Sequence, residues 1–423
     1  MKLQKSPLLI GLFCVVTLSS VAQTADNHLS WTSSKGLKVN LYGFVNNFFC
    51  YDSRRSLMVA EDLFNILPLD ASYDANGVDV NADPSVKFLA MTTRMGLDFV
   101  GPELFGARST AKIETDFGGY SATGTLLRIR QAYTALAWDN GSNGSTLLIG
   151  QTWHPMSGDL KPDVFSLATG SPFNPFNRSP MLRYDYSLRG DHATTSFTAA
   201  AIYQFQYASV GFNGAPSYKY SQRGLWPEVY VGLTLKGAKT TTAIGGDVSS
   251  IKIGEHRLTS YAAMLSTSYT GSRLSIKAKA VCGQNLSHML LPSGFGTDTT
   301  DGTLRPLTAA AAWTTVMCRT NKDARNAFKV GFMAGWLQNL GTLQGTIDPA
   351  SVRIWGNHAG VSSSLGGVYR FSPIATYSVQ NLMLGLELEH TAARYGDLQH
   401  DATVTNLHTV ANERVCALVM YNF

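Results

Sequence analysis

From residue 37 to the C-terminus, segment after segment carries apolar side chains at every second position, and no other feature of this chain restricts its fold so tightly. Leu37, Val39, Leu41, Gly43, Val45 and Phe49 alternate with Lys38, Asn40, Tyr42, Asn46 and Phe48. Leu89, Met91, Met95, Leu97 and Phe99 alternate with Ala90, Thr92, Arg94, Gly96 and Asp98. Ala107, Ala111, Ile113 and Phe117 alternate with Arg108, Lys112, Glu114 and Asp116. A period of two puts neighbouring side chains on opposite faces of a β-strand, here one apolar and one charged. The pattern returns around residues 127–130, 182–189, 197–203, 229–235, 274–280, 328–336 and 382–389. Each segment is about 9–13 residues long, which suits a tilted strand crossing the hydrocarbon of a bilayer.

Composition narrows the class further. Only 15% of the 423 residues are charged, against about 25% in a soluble domain. A disordered chain would need more charge and less than the 44% hydrophobic residues found. A bundle of membrane helices would need repeated apolar runs of about 20 residues, and the one sustained run is 8–16. What remains is an all-β transmembrane antiparallel barrel, with lipid outside and water inside.

The start of the chain reads as an export leader. A basic Met1-Lys2-Leu3-Gln4-Lys5, the apolar run and the small residues Ser20-Val21-Ala22 define a signal peptide over 1–22. A short periplasmic segment is expected over 23–36 and the barrel over 37–423. Removing Lys2 and Lys5 leaves 32 basic against 29 acidic residues, a net charge of +3 that is too weak to imply nucleic acid. Cys50, Cys282, Cys318 and Cys416 lie far apart without metal-ligand spacing, and are read as buried or lipid-facing thiols.

Connections alternate in length. Short ones fall at 101–106, 139–144, 190–191, 237–239 and 270–272, with the hairpin signal Asp139-Asn140-Gly141. Long polar ones fall at 52–84, 154–180, 208–227, 285–306, 339–359 and 395–408. Short turns on one side and long loops on the other are the outer-membrane arrangement, and the count is about 16 strands. The last strand puts Val415, Ala417, Val419, Tyr421 and Phe423 on one face. Ending on an aromatic, it looks like the signal read by the barrel assembly machinery, and it sets rings at the membrane interface.

The 154–180 connection holds Pro155, Pro162, Pro172, Pro175 and Pro180 together with Phe165, Phe173 and Phe176. Five prolines and three aromatics are more than a solvated loop needs, so this segment is expected to fold inward as a constriction loop carrying Asp159, Lys161, Asp163 and Phe165. Arg94, Arg108, Lys112, Arg128, Arg130 and Arg183 occupy inward positions on neighbouring strands and form a basic ladder facing it. Direct contact with solutes and internal pairing with acidic neighbours are both open readings of the ladder. Its excess favours small anions, since arginine grips carboxylates through two bonds.

Several of these segments together resemble the DcaP-like family of trimeric outer-membrane porins. They are Thr93-Arg94-Met95-Gly96-Leu97-Asp98-Phe99, Lys112-Ile113-Glu114-Thr115-Asp116-Phe117, Leu127-Arg128-Ile129-Arg130-Gln131, Gly150-Gln151-Thr152-Trp153 and Arg178-Ser179-Pro180-Met181-Leu182-Arg183. The resemblance implies a homotrimer in outer-membrane lipid that passes small anions such as dicarboxylates, with Arg94, Arg128, Arg130 and Arg183 lining the pore. Two departures stand out. The 23–36 segment is too short for the coiled coil that family can carry, and 52–84 is a long insertion. The leader ending Ala22-Gln23 resembles those of Bacteroidota.

An enzyme is not expected. None of the nine histidines sits in H-E-x-x-H, no serine lies in G-x-S-x-G, and phosphate-loop and dinucleotide motifs are absent, so neither a cofactor nor a metal is expected. The expectation is passive diffusion of small hydrophilic solutes, mildly anion-preferring. The alternative is a structural or adhesive outer-membrane barrel without an open channel.

Overall fold

Strands with one apolar and one polar face leave no unpaired backbone edge only if the sheet closes on itself. Sixteen antiparallel strands do so in the structure, a computed structural model that describes residues 29–34, 36–59, 64–121, 124–158, 160–320, 326–357 and 364–423. They are β1 (Lys38–Asp52), β2 (Arg94–Leu104), β3 (Ala107–Ser121), β4 (Gly124–Asp139), β5 (Asn143–Trp153), β6 (Arg178–Arg189), β7 (Ala193–Ile202) and β8 (Glu228–Gly237). Then follow β9 (Thr240–Ile253), β10 (His256–Thr270), β11 (Leu274–Gln284), β12 (Leu304–Arg319), β13 (Asn326–Thr342), β14 (Ser364–Val379), β15 (Leu382–Leu398) and β16 (Val404–Asn422). Each pairs with the next, and β16 returns to β1 from Phe44↔Asn422 to Asp52↔Arg414. The expected leader at 1–22 lies outside the described residues. Leu29–Thr32, within the segment expected ahead of the barrel, adds a short strand to the start of β1.

The outward faces carry the apolar set. On β15, Leu382, Leu384, Leu386 and Leu388 are exposed, whereas Met383, Glu387 and Glu389 between them are buried. Val415, Val419 and Tyr421 do the same on β16. Such a band is stable only against hydrocarbon.

Three expectations change. The connection read at 395–408 is a tight turn: β15 and β16 stay paired as far as Leu398↔Val404. Polar residues interrupt the apolar set on that hairpin, and Gln399 donates to Thr405 while Asn406 donates to Asp397, so the alternation signal disappears although the strands continue. The strand read as unbroken from Leu89 to Phe99 is interrupted. Ser85–Leu89 pairs with the upper half of β1, then residues 90–93 turn before β2 resumes. Asn46 holds that break through its backbone N–H to Thr93 Oγ1 and its side-chain amide to Thr92 Oγ1. Finally, Cys50 and Cys416 are not thiols. They face each other across the β1–β16 seam with Cα atoms 4.3 Å apart and form a disulfide. Cys282 and Cys318 are free and exposed on the outer face.

The interior holds an apolar core as well as water-facing charge. The insertion after β1 forms a hairpin, Ser56–Val59 with Phe64–Pro68. Its Phe64, Ile66 and Leu67 bury against Phe173 and Phe176 of the 154–177 loop and Leu286 and Met289 of the 285–303 loop. Inward wall positions beneath them are correspondingly apolar, as at Met333, Leu337, Val368 and Met420.

Candidate functional site

The connection after β5 crosses the barrel interior. One helical turn, Pro155–Gly158, leads it off the wall. Lys161 then places its ammonium over the Trp153 indole, 3.3 Å from the ring centroid. Asp163 pairs with Lys277 of β11 at 2.8 Å. The backbone N–H of Phe165 donates to Glu387 of β15 at 2.7 Å, on the far wall. Phe173 lies under Arg370 of β14, and Asn174 accepts from the Trp313 indole of β12. The inward-folded constriction loop expected from the prolines and aromatics is therefore present. Asp159 lies outside the described residues.

Two glycines make room for it. A Cβ at Gly385 would meet the Phe165 ring, and one at Gly335 the Phe173 ring. Here the absence of a side chain serves close approach of a neighbour.

Four of the six ladder residues form one charged network. Arg128 grips Asp116 through two bonds of 2.9 Å. Arg130 bridges Glu114 at 2.8 Å and Asp116 at 2.6 Å, and Arg94 stands 3.9 Å from Glu114. Lys112 pairs with Asp98 at 2.6 Å and donates to Tyr42, whose hydroxyl donates to Glu114. A slip in the β3–β4 register after Glu114 leaves Arg130 and Gln131 both buried. Without that bulge, adjacent residues would face opposite sides of the wall. Arg183 stands apart, bound to Asp185 of its own strand at 2.9 Å, and Arg108 is exposed beside the short turn at Phe105-Gly106.

The structure adds Arg178, which closes the loop and opens β6. It is fully buried, its Cζ lies 4.8 Å from the centre of the Trp153 ring, and it donates to the Tyr207 hydroxyl at 2.9 Å. Its Nη1 has no hydrogen-bond partner. Among the described residues, no carboxylate lies in ion-pair range of Arg178 or Lys161. Arg130 also approaches the same indole, at 5.7 Å, so three cations surround one aromatic ring. Burial pushes the Lys161 ammonium well below the ordinary lysine range, with Arg130 and Arg94 adding repulsion. Arg178 was visible in sequence only as part of a motif, because its direction depends on where the loop ends.

The opposite wall sets acids against bases. Glu387 and Glu389 of β15 face Arg370 and Arg414, with Arg370 3.3 Å from Glu389, and a cleft runs between them, Phe165 and the disulfide. Three cations thus gather at Trp153, whereas the loop's far contact is a mixed set of acids and bases.

No protein-family model matches this sequence, and no curated protein matches it. Solved structures do. The outer-membrane channel DcaP of Acinetobacter baumannii superposes with a TM-score of 0.69 at 19% identity, covering 93% of this chain and 99% of that one. An anion-selective porin from Comamonas acidovorans gives 0.52 at 11% identity, over 92% and 100%. OmpF of Salmonella typhi, solved with daunomycin, gives 0.51 at 11%, over 93% and 100%. At such identities the likeness establishes the fold, a porin-type barrel.

Proposed function

We propose that this barrel is a passive diffusion channel of the bacterial outer membrane that prefers small anions, dicarboxylates among them. The observation that carries the preference is the pair Lys161 and Arg178, both inside the barrel, both against Trp153, and neither balanced by a described carboxylate. The rest of the ladder is largely matched by Asp98, Glu114 and Asp116, so it shapes the wall and supplies background field. Arg178 and Lys161 are both buried, so they act on a passing dianion through their field rather than by direct contact. Likeness to solved porins supports the channel reading, and small outward residues such as Ala199 and Ala201 suit close packing in a homotrimer. The C-terminal strand ending at Phe423 is the segment offered to the assembly machinery.

The test is reversal potential in planar bilayers under a KCl gradient, repeated with succinate added. Anion-side reversal and succinate block support the reading, and cation selectivity overturns it. A second reading has its own support. The loops share one apolar core inside the barrel, through Phe64, Phe173, Phe176 and Met289, as a barrel without an open channel would. Single-channel recording separates the two, since such a barrel gives no conductance steps.

A further inference from the structure

Four titratable side chains outside the cation network meet at the root of the constriction loop. His154 follows β5, Glu228 opens β8, Asp247 sits on β9, and His288 belongs to the short turn Leu286–Met289 of the 285–303 loop. Their exposures are 0%, 2%, 7% and 1%. His154 Nε2 lies 2.8 Å from Glu228 Oε1 and 3.6 Å from Asp247 Oδ2, and His288 Nε2 lies 3.3 Å from the same Glu228 oxygen. Gln204 donates to the other Glu228 oxygen at 2.8 Å and so fixes the carboxylate's orientation.

Two atoms of this cluster are unsatisfied: Asp247 Oδ2 and His288 Nδ1 have no hydrogen-bond partner. Burying a carboxylate beside a second carboxylate is costly unless a proton or a cation joins them. The nearby Lys279 donates to the Met156 and Ser157 carbonyls.

We propose that His154, Glu228 and Asp247, with His288 beside them, bind a divalent transition-metal ion of the zinc class. The donor atoms of the first three lie within 4.8 Å of one another. A tetrahedral ion with bonds of about 2.0–2.1 Å holds its ligand atoms about 3.3 Å apart, so the His154–Glu228 pair at 2.8 Å must open and the widest pair must close. Mixed imidazole and carboxylate donors favour zinc-class ions over magnesium or calcium, which take oxygen throughout. Binding also reaches the loop. The Met156 N–H donates to His154 Nδ1 at 3.2 Å, and an ion on Nε2 moves the ring proton to Nδ1 and breaks that bond. The metal therefore removes the ring's bond to Met156 while tying β8 and β9 to the loop's root, and the His154 carbonyl still accepts from Ser157 and Gly158.

The experiment is isothermal titration of Zn2+ into the untagged, full-length barrel in detergent, beside Asp247→Asn and the surface control His390→Gln/His408→Gln. The expected result is about one ion per chain, weakened at least 10-fold by Asp247→Asn and unchanged in the control. No uptake by the wild type, or uptake that survives Asp247→Asn and is lost in the control, overturns the proposal. Should Asp247→Asn fail the heat-shift gel test of folding, Co2+ titrated into the wild type decides. The intense visible bands of a four-coordinate ion support the site, and their absence overturns it.

Discussion

Arg130 holds two carboxylates at once, and its worth follows from what its loss would leave behind. Glu114 and Asp116 are each about 1% exposed, so neither recovers solvation when the guanidinium is removed. Breaking a buried pair costs about 3–5 kcal/mol because the remaining charge stays uncompensated. Arg128 and Arg94 still face the two acids and reduce the loss. Arg130→Gln is therefore expected to destabilise the folded barrel by about 3 kcal/mol, measured by urea unfolding in lipid vesicles, and Arg108→Gln, outside the network, by less than about 0.5 kcal/mol. Lys161 and Arg178 act differently, since neither neutralises a described acid. Lys161→Gln and Arg178→Gln should each move the KCl reversal potential toward cation permeability, and Arg178→Gln, which also loses a buried hydrogen bond and cation–π contacts, should cost about 2 kcal/mol of stability. Lys161 is held below the ordinary lysine range, so it loses its charge earlier as pH rises. Anion preference should accordingly fall on alkalinisation before ordinary lysines titrate, and that early component should be missing from Lys161→Gln in the same recordings.

The constriction loop is an element without regular structure, and its position depends on contacts at both ends of its span. Phe165 rests in the space left by Gly385, and its N–H is bound by Glu387. Gly385→Val would put a branched side chain where the ring lies, so the loop tip should lift from β15 while the barrel closes as before. Larger and noisier single-channel conductance is the expected result, and removal of 159–176 should raise conductance several-fold. Unaltered conductance in both variants would mean the loop does not limit flow. Elements were legible in sequence wherever one face meets lipid, as at Leu382, Leu384, Leu386 and Leu388, because hydrocarbon imposes the period of two. The signal vanished where polar residues break the apolar set and loops pack against a strand, as in the 395–408 hairpin, and where loops inside the barrel require apolar residues on the inner wall, as at Met333 and Leu337. Arg94, Lys112, Arg128 and Arg130 could be found because they alternate with lipid-facing residues. Arg178, His154, Glu228 and Asp247 could not, since their meeting depends on where loops turn inside the closed barrel.

Closure of the whole molecule joins β1 to β16, the two strands furthest apart in sequence, and the disulfide sits on that seam. Cys50 and Cys416 are separated by 366 residues, so nothing in their spacing announces a pair; only closure in this register sets them opposite each other. An exported chain passes through an oxidising compartment where such a bond persists. On the loop-entropy account, a cross-link over so long a loop stabilises by about 6 kcal/mol, because it restricts the unfolded chain most. The seam itself remains hydrogen-bonded from Phe44↔Asn422 to Asp52↔Arg414, so the reduced barrel should still close. Cys50→Ser/Cys416→Ser is then expected to fold and conduct like the wild type, yet to unfold at a lower temperature and lower urea concentration. In heat-denatured samples without reductant, the wild type should migrate faster than the variant, because its unfolded chain remains a loop, and reductant should abolish the difference. Equal migration before reduction would show the cysteines unpaired. A lowered conductance in the double variant would instead assign the bond to the pore, where it lines the cleft beside Phe165 and Glu387, rather than to the seam alone.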